Sequence, residues 1–149
     1  MHASTVGTEG QEILSGLIDI ITALKRRAGE REDPATVFLL RHLRASAPRR
    51  VSDLAECSRL DVSTVSRHVK SLEEAGYVTR IEDPDDRRAS LLKITKQGQS
   101  LYDAAMGARS AALDRGLADW SDKDRHTLAV LVTRAARSLN PSAETRSNT

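Results

Sequence analysis

The fold of this chain is decided by residues 59–98, which read RLDVSTVSRHVKSLEEAGYVTRIEDPDDRRASLLKITKQG. Asp61 is a favourable N-cap for a helix, and Ala75-Gly76 supplies the left-handed stop that helix C-termini favour. These two signals predict a helix of about four turns that ends at Glu74.

A β-hairpin is predicted after this helix. Residues 77–81 and 90–94 have the alternating character of strands, and the turn-rich residues 82–88 lie between them. Because this connecting segment is longer than a tight two-residue turn, its tip is expected to project from the body of the protein.

Three helices are predicted before this stretch. A short helix is expected at residues 53–58 with Ser52 as its N-cap, and Asp33-Pro34 is the start signal of a longer helix that precedes it. Apolar residues at three-four spacing predict the first helix, over about residues 9–27.

Two further helices are predicted after the hairpin. Thr95 opens a helix to about residue 119 that is rich in small residues, which let helix backbones approach closely. Ser121, with Asp124 three residues later, resembles a capping box at the start of a sixth helix that has a clean apolar stripe. The polar residues 141–149 and the first few residues are expected to be disordered.

The outward face of the helix before the hairpin has a distinct set of polar side chains. At about 100° per residue, Val65, Val69 and Leu72 fall in one apolar sector that must face the core. Hydroxyl side chains and cations lie opposite it and on its flanks: Ser63, Thr64, Ser66, Arg67 and Lys70. Small hydroxyl residues permit close approach to a major groove, and an arginine can bond two acceptors on a guanine edge. The same residues would also suit a solvated surface helix, but the short helix before and the hairpin after favour DNA recognition.

Residues 59–98 resemble the MarR family of bacterial regulators, and the helix order on both sides is similar to that family across nearly the whole chain. The most specific element is similar to the family's D-x-R wing signature and its closing L-T-x-x-G, namely Asp86-Arg87-Arg88 followed by Leu92-Lys93-Ile94-Thr95 and Gly98. The resemblance implies a mostly α fold with a small β-hairpin wing, in which a winged helix-turn-helix is flanked by dimerisation helices.

The resemblance also implies roles for the wing residues. In the family, the arginine of the signature reaches into the minor groove and the aspartate orients it, which implies these roles for Arg88 and Asp86. Arg87 would instead reach a backbone phosphate. The assignment is physically consistent, because a narrow minor groove has a negative potential that attracts guanidinium groups. A plain solvated turn is the alternative interpretation, since Asp-Pro-Asp-Asp is also ordinary turn chemistry.

A homodimer is implied by the same resemblance, formed by the N-terminal helix and the last two helices. The apolar stripes of these helices support it, because the DNA-reading lobe alone would leave much apolar surface in water. We expect a dimerisation helix in residues 1–33, a DNA-binding lobe in residues 34–94 and dimerisation helices in residues 95–140. Two-fold symmetry requires a pseudo-palindromic operator in double-stranded DNA, and repression with release by a small molecule is the expected mode of action.

A small-molecule site is implied by the resemblance alone. The family commonly binds aromatic or phenolic ligands in a crevice between the DNA lobe and the dimer helices, which Leu24, Phe38, His42 and Tyr102 could face. Ordinary core positions are the simpler interpretation of these four residues.

Composition excludes several classes of protein. The chain has 149 residues, of which 39% are hydrophobic and 3% aromatic, so one mostly α structural unit is expected. No apolar run approaches the roughly 20 residues of a membrane span and no signal peptide is recognised, so a cytoplasmic protein is expected. The four histidines and the single cysteine lack metal-ligand spacing and no catalytic motif occurs, so we expect no metal, no cofactor and no enzymatic activity.

Two alternatives concern charge and the cysteine. The net charge is +2, with cations clustered between Arg41 and Lys96, and a solvated surface would explain this as well as DNA binding. The competing hypothesis for the whole chain is a winged-helix module in which the same hairpin and helix contact a protein partner. Cys57 is interpreted as a buried structural thiol rather than a redox sensor, because Leu54 and Leu60 are its neighbours.

Overall fold

The computed structural model describes residues 5–29 and 33–140, which form six helices and one antiparallel two-stranded hairpin. In chain order the elements are α1 (Thr5–Ala28), α2 (Pro34–Arg44), α3 (Val51–Ser58), α4 (Val62–Glu74), β1 (Val78–Asp83), β2 (Asp86–Ile94), α5 (Lys96–Gly116) and α6 (Asp122–Leu139). This confirms the predicted fold class. No helix within those residues is long and apolar enough to cross a membrane. The terminal segments expected to be disordered lie outside the described residues, apart from the start of α1.

Most predicted helix starts are confirmed by side-chain caps. The Asp33 carboxylate accepts the Ala35 N–H at 3.0 Å before α2, and Asp61 accepts the Thr64 N–H at 2.8 Å before α4. Thr95 Oγ1 accepts the Gly98 N–H at 3.0 Å, and Ser121 Oγ accepts the Asp124 N–H at 3.1 Å. The fifth helix ends at Gly116, slightly before the predicted residue 119.

The predicted start of α3 is wrong by two residues. Ser52 lies inside the helix, which begins at Val51 with Arg50 as its N-cap residue. The Asp53 carboxylate accepts the Arg50 N–H at 3.3 Å, so it stabilises the helix start from the third helical position.

The hairpin differs from its prediction in the turn. The strands extend to Asp83 and Asp86, so only Pro84-Asp85 connects them, and the expected seven-residue loop is wrong. The register shifts between the pairs Glu82↔Ser90 and Asp83↔Asp86. Residues 87–89 therefore have no partner in the ladder and form a bulge on β2, the kind of irregularity that re-aims side chains.

The hydrophobic core lies among α2, α3, α4 and the hairpin, with Tyr102 of α5 at its edge. Its fully buried side chains are Leu39, Leu40, Leu54, Val65, Val69 and Leu92. Backbone hydrogen bonds in both directions between Arg49 and Leu92, at 3.2 and 2.7 Å, fasten the segment before α3 to the second strand.

The chain divides into two compact units, one ending at Ala112 and the other beginning at Leu113. In the first unit, the residues of α1 whose side chains are described include none that is buried. In the second, α6 is capped by Ser121 and its Arg125 pairs with Asp114 at 2.8 Å, but none of its residues, all described, is buried. Both helices therefore carry apolar side chains that the single chain leaves in water.

Candidate nucleic-acid interface

The apolar face of α4 fixes how the helix sits in its lobe. Val65 and Val69 are fully buried and Leu72 is nearly so, which confirms the apolar sector predicted from the sequence. The helix packs on α3, α2 and β1. Because this face is anchored, the opposite face is held rigidly toward solvent.

The N-terminal turn of α4 is organised by one carboxylate. Asp61 accepts hydrogen bonds from Ser63 Oγ at 2.5 Å, from Thr64 Oγ1 at 2.6 Å and from the Thr64 N–H at 2.8 Å. These bonds, that from Ser63 first, hold the pKa of Asp61 well below its usual range. Both hydroxyl protons point to Asp61, so each hydroxyl presents acceptor lone pairs to an approaching group.

The remaining predicted residues of α4 are exposed. Arg67 Nη2 donates to Thr64 Oγ1 at 3.4 Å, which steers the guanidinium toward the N-terminal end of the helix. Ser66 and Lys70 have no side-chain partner within the described part of the chain. The structure thus places Ser63, Ser66, Arg67 and Lys70 in solvent, with Thr64 half-buried.

The wing presents two arginines on its bulge. Arg87 and Arg88 are exposed, and neither guanidinium has a hydrogen-bond or ion-pair partner among residues 5–29 and 33–140. Asp86 Oδ1 accepts the backbone N–H of Arg88 at 3.0 Å. The aspartate expected to orient Arg88 therefore contacts its backbone in this structure and leaves its side chain free.

Arg50, the N-cap residue of α3, contacts the wing, and sequence reasoning missed this contact. Its Nε and Nη2 donate to Asp83 Oδ2 at 2.9 and 2.6 Å, and Asp83 is only 6% exposed. The Asp85 N–H and then the Arg50 guanidinium hold the pKa of the Asp83 carboxyl below its usual range. No local pattern signals this pair, because its members are 33 residues apart.

Arg80 joins the wing to the end of α4. Its Nε donates to Glu73 Oε1 at 2.8 Å and its Nη1 donates to Ser90 Oγ at 3.0 Å. Thr95 Oγ1 adds a 2.7 Å hydrogen bond to the Gly76 carbonyl. Side-chain hydrogen bonds thus connect the hairpin to the C-terminal end of α4.

The residues expected near a ligand crevice occupy different environments. Phe38, 41% exposed, contacts His42 edge to face with ring centroids 4.8 Å apart. Tyr102 belongs to the core, with the Arg44 guanidinium 5.2 Å from its ring centroid, and Leu24 is half-buried on α1. The structure thus brings Phe38 and His42 together, and Tyr102 has no ring contact with either of these described residues.

Cys57 is half-buried rather than buried, which corrects the expectation. Its Sγ accepts a hydrogen bond from Arg49 Nη1 at 3.0 Å, donates to the Leu54 carbonyl at 3.3 Å and lies 3.7 Å from His42 Nδ1. Burial, followed by the charges of Arg41 and Arg49, lowers the pKa of His42. The described residues contain no group of three or more side chains suited to hold a metal ion.

Comparisons with known proteins give one consistent assignment. Residues 33–89 match the sequence model of the MarR family. YxaD of Bacillus subtilis (strain 168), named an uncharacterized HTH-type transcriptional regulator, is 36% identical over 110 residues, 74% of this chain and 76% of YxaD. MdtR of the same organism, named an HTH-type transcriptional repressor, is 25% identical over 104 residues, 70% of this chain and 67% of MdtR. A MarR family protein from Bacillus stearothermophilus shares the fold, with a TM-score of 0.80 and 16% identity over 93% of this chain and 98% of that chain.

Proposed function

Because the chain belongs to the MarR family, a family of DNA-binding transcriptional regulators rather than enzymes, we propose that it is a repressor that binds a pseudo-palindromic operator as a homodimer. The observation that carries this proposal is that α4 buries Val65, Val69 and Leu72 and turns Ser63, Ser66, Arg67 and Lys70 to solvent. A surface helix needs no such set of side chains for folding, whereas a helix that enters a major groove does.

Base reading is proposed for the N-terminal half of α4. The hydroxyl groups of Ser63 and Thr64 are committed as donors to Asp61, so toward a base edge they act as acceptors, which suits the amino groups of cytosine and adenine. Arg67 is assigned to a guanine edge, and Ser66 and Lys70 to groove or phosphate contacts.

Minor-groove binding is proposed for the wing. Arg88 has a free guanidinium on a bulge, which suits the negative potential of a narrow minor groove, and Arg87 is assigned to a phosphate. Asp86 supports Arg88 through its backbone N–H.

Dimerisation is proposed through the helices whose apolar faces the single chain leaves exposed. In α1 these side chains are Ile13, Leu14, Leu17, Ile18, Ile20 and Ile21, and in α6 they are Val130, Leu131, Val132 and Leu139. A second copy would cover both faces. The two reading helices would then meet half-sites roughly 34 to 36 Å apart.

Repression and ligand release complete the proposal. The relative MdtR is named a transcriptional repressor, which supports the first. For the second, we assign a small aromatic ligand to the exposed Phe38, whose ring already packs edge to face on His42.

The proposal is tested by selecting genomic DNA fragments with the purified protein, followed by salt titration on the best fragment and on a scrambled version. We expect an enriched pseudo-palindrome, tighter binding than to the scramble, and affinity that falls steeply with salt. Equal binding to both DNAs, or no binding at physiological salt with and without candidate aromatic ligands, would contradict it. The module that binds a protein partner would then be the better interpretation.

A further inference from the structure

We propose that Arg50 is a positioning residue for the wing, which holds Arg88 at its DNA-binding position through the carboxylates of Asp83 and Asp86. The inference rests on the proposed function, because it requires the wing to contact DNA. Arg50 itself lies outside the hairpin, at the N-cap of α3.

The first step is the contact of Arg50 with the hairpin. Two nitrogens of its guanidinium, Nε and Nη2, converge on one oxygen of Asp83 at 2.9 and 2.6 Å. Asp83 is almost completely buried, and a buried carboxylate requires a cationic or hydrogen-bonding partner. The position of Asp83 is therefore tied to the start of α3.

The second step is the turn that follows. The other oxygen of Asp83, Oδ1, accepts the Asp85 N–H at 3.0 Å and so closes the two-residue connection. One oxygen of the Asp83 carboxylate thus contacts the N-cap residue of α3 and the other contacts the turn, and together these contacts fix where β2 begins.

The third step leads to Arg88. Arg50 Nη2 also lies 3.7 Å from Asp86 Oδ2, while Asp86 Oδ1 accepts the Arg88 N–H at 3.0 Å. Residues 87–89 have no partner across the ladder, so their position depends on what holds their two ends. Arg50 supports the end at Asp86, and Arg80 supports the end at Ser90.

The test is a double-mutant cycle on the selected operator. A narrow minor groove is typical of A·T-rich DNA, so we expect Arg88→Ala to weaken binding and to abolish a preference for A·T-rich flanks of the operator. Arg50→Ala is expected to have the same two effects. The variant with both Arg50→Ala and Arg88→Ala should bind no more weakly than Arg88→Ala alone. In the variant with Arg50→Ala and Arg67→Ala, by contrast, the fold-losses of affinity of the two single variants should multiply. Arg44→Ala is the control: it removes an ion pair with Asp103 and the contact of the guanidinium with the Tyr102 ring, and it should keep the flank preference.

A role limited to stability predicts a different pattern. Arg50→Ala would then lower affinity for all sequences equally, and its fold-loss of affinity would multiply with that of Arg88→Ala. Either result overturns the inference. If thermal melting shows Arg50→Ala unfolded at the assay temperature, Asp83→Asn, which keeps the side-chain shape but removes its charge, gives the same comparison. The proposed function fails in a separate way, because the wild type would then not distinguish the operator from scrambled DNA.

Discussion

Arg67 is the single residue through which base reading by α4 is tested most directly. Its guanidinium is exposed and only weakly bonded to Thr64, so its removal disturbs little inside the protein. Arg67→Ala is expected to cost about 1 to 3 kcal/mol of operator affinity and to relax base preference at one position of each half-site. Binding to a set of operators with single base-pair changes measures both effects.

A control separates base reading from a loss of charge. Arg115→Ala removes an exposed arginine near the end of α5 and should leave both affinity and base preference close to those of the wild type. An Arg67→Ala protein that retained wild-type affinity and preference would refute the assignment of this residue.

His42 makes stability depend on pH. Burial, with the nearby charges of Arg41 and Arg49, lowers its pKa from the ordinary 6.5. As the pH decreases, His42 therefore takes up a proton in the unfolded chain before it does so in the folded chain. The contribution of His42 to the free energy of unfolding is fully present above pH 6.5, and it is lost as the pH decreases from there toward the pKa of the folded state. We expect the melting temperature to fall between pH 7.5 and 5.5, and to fall less in His42→Gln.

The control for this measurement is His126→Gln, at an exposed position of α6. It should keep the pH dependence of the wild type, because it leaves His42 and the surroundings of His42 unchanged. An unchanged pH dependence in His42→Gln would mean that burial and the charges of Arg41 and Arg49 do not disfavour the protonated form of His42.

At the scale of elements, the helices were predictable because their signals are local. Asp33, Asp61 and Ser121 cap the next helix within three residues, and the apolar sector of α4 follows from helical periodicity alone. The turn of the wing was not predictable, because Arg50 reaches Asp83 from another element. The same distance in sequence hid the contacts of Arg80.

The junction between the hairpin and α5 depends on Gly98. A Cβ atom at this position would lie 2.2 Å from the Tyr77 carbonyl oxygen, which is backbone and cannot move aside. Gly98→Ala is therefore expected to destabilise the protein and to lower its melting temperature. Gly107→Ala in the same helix meets nothing within 4 Å, and it should be neutral or stabilising by up to about 1 kcal/mol. Equal melting temperatures of the two variants would contradict this account.

At the scale of the whole molecule, the sequence predicts a DNA-binding lobe flanked by dimerisation helices. In the single chain, the apolar side chains of α1 and α6 are exposed to solvent. Periodicity identifies which side chains of α1 and α6 are apolar, but it does not identify what covers them. A dimer interface is formed by two chains, so the pattern of one chain does not specify which residues of the two copies face each other.

Dimerisation predicts a linked loss of assembly and DNA affinity. Ile18 of α1 is 53% exposed and Leu131 of α6 is 47% exposed, so a charge at either position has little effect on the single chain but would be desolvated in a dimer interface. We expect sedimentation equilibrium to give a dimer for the wild type and monomers for Ile18→Glu and Leu131→Glu. Because only a dimer engages both half-sites at once, these variants should bind the full operator no better than an operator with one half-site scrambled.

The control is Ser15→Glu, at an exposed polar position on α1, which should remain dimeric with wild-type affinity. A monomeric wild type that still prefers the intact palindrome, or glutamate variants that remain dimers, would place the dimer interface elsewhere or remove it from the mechanism.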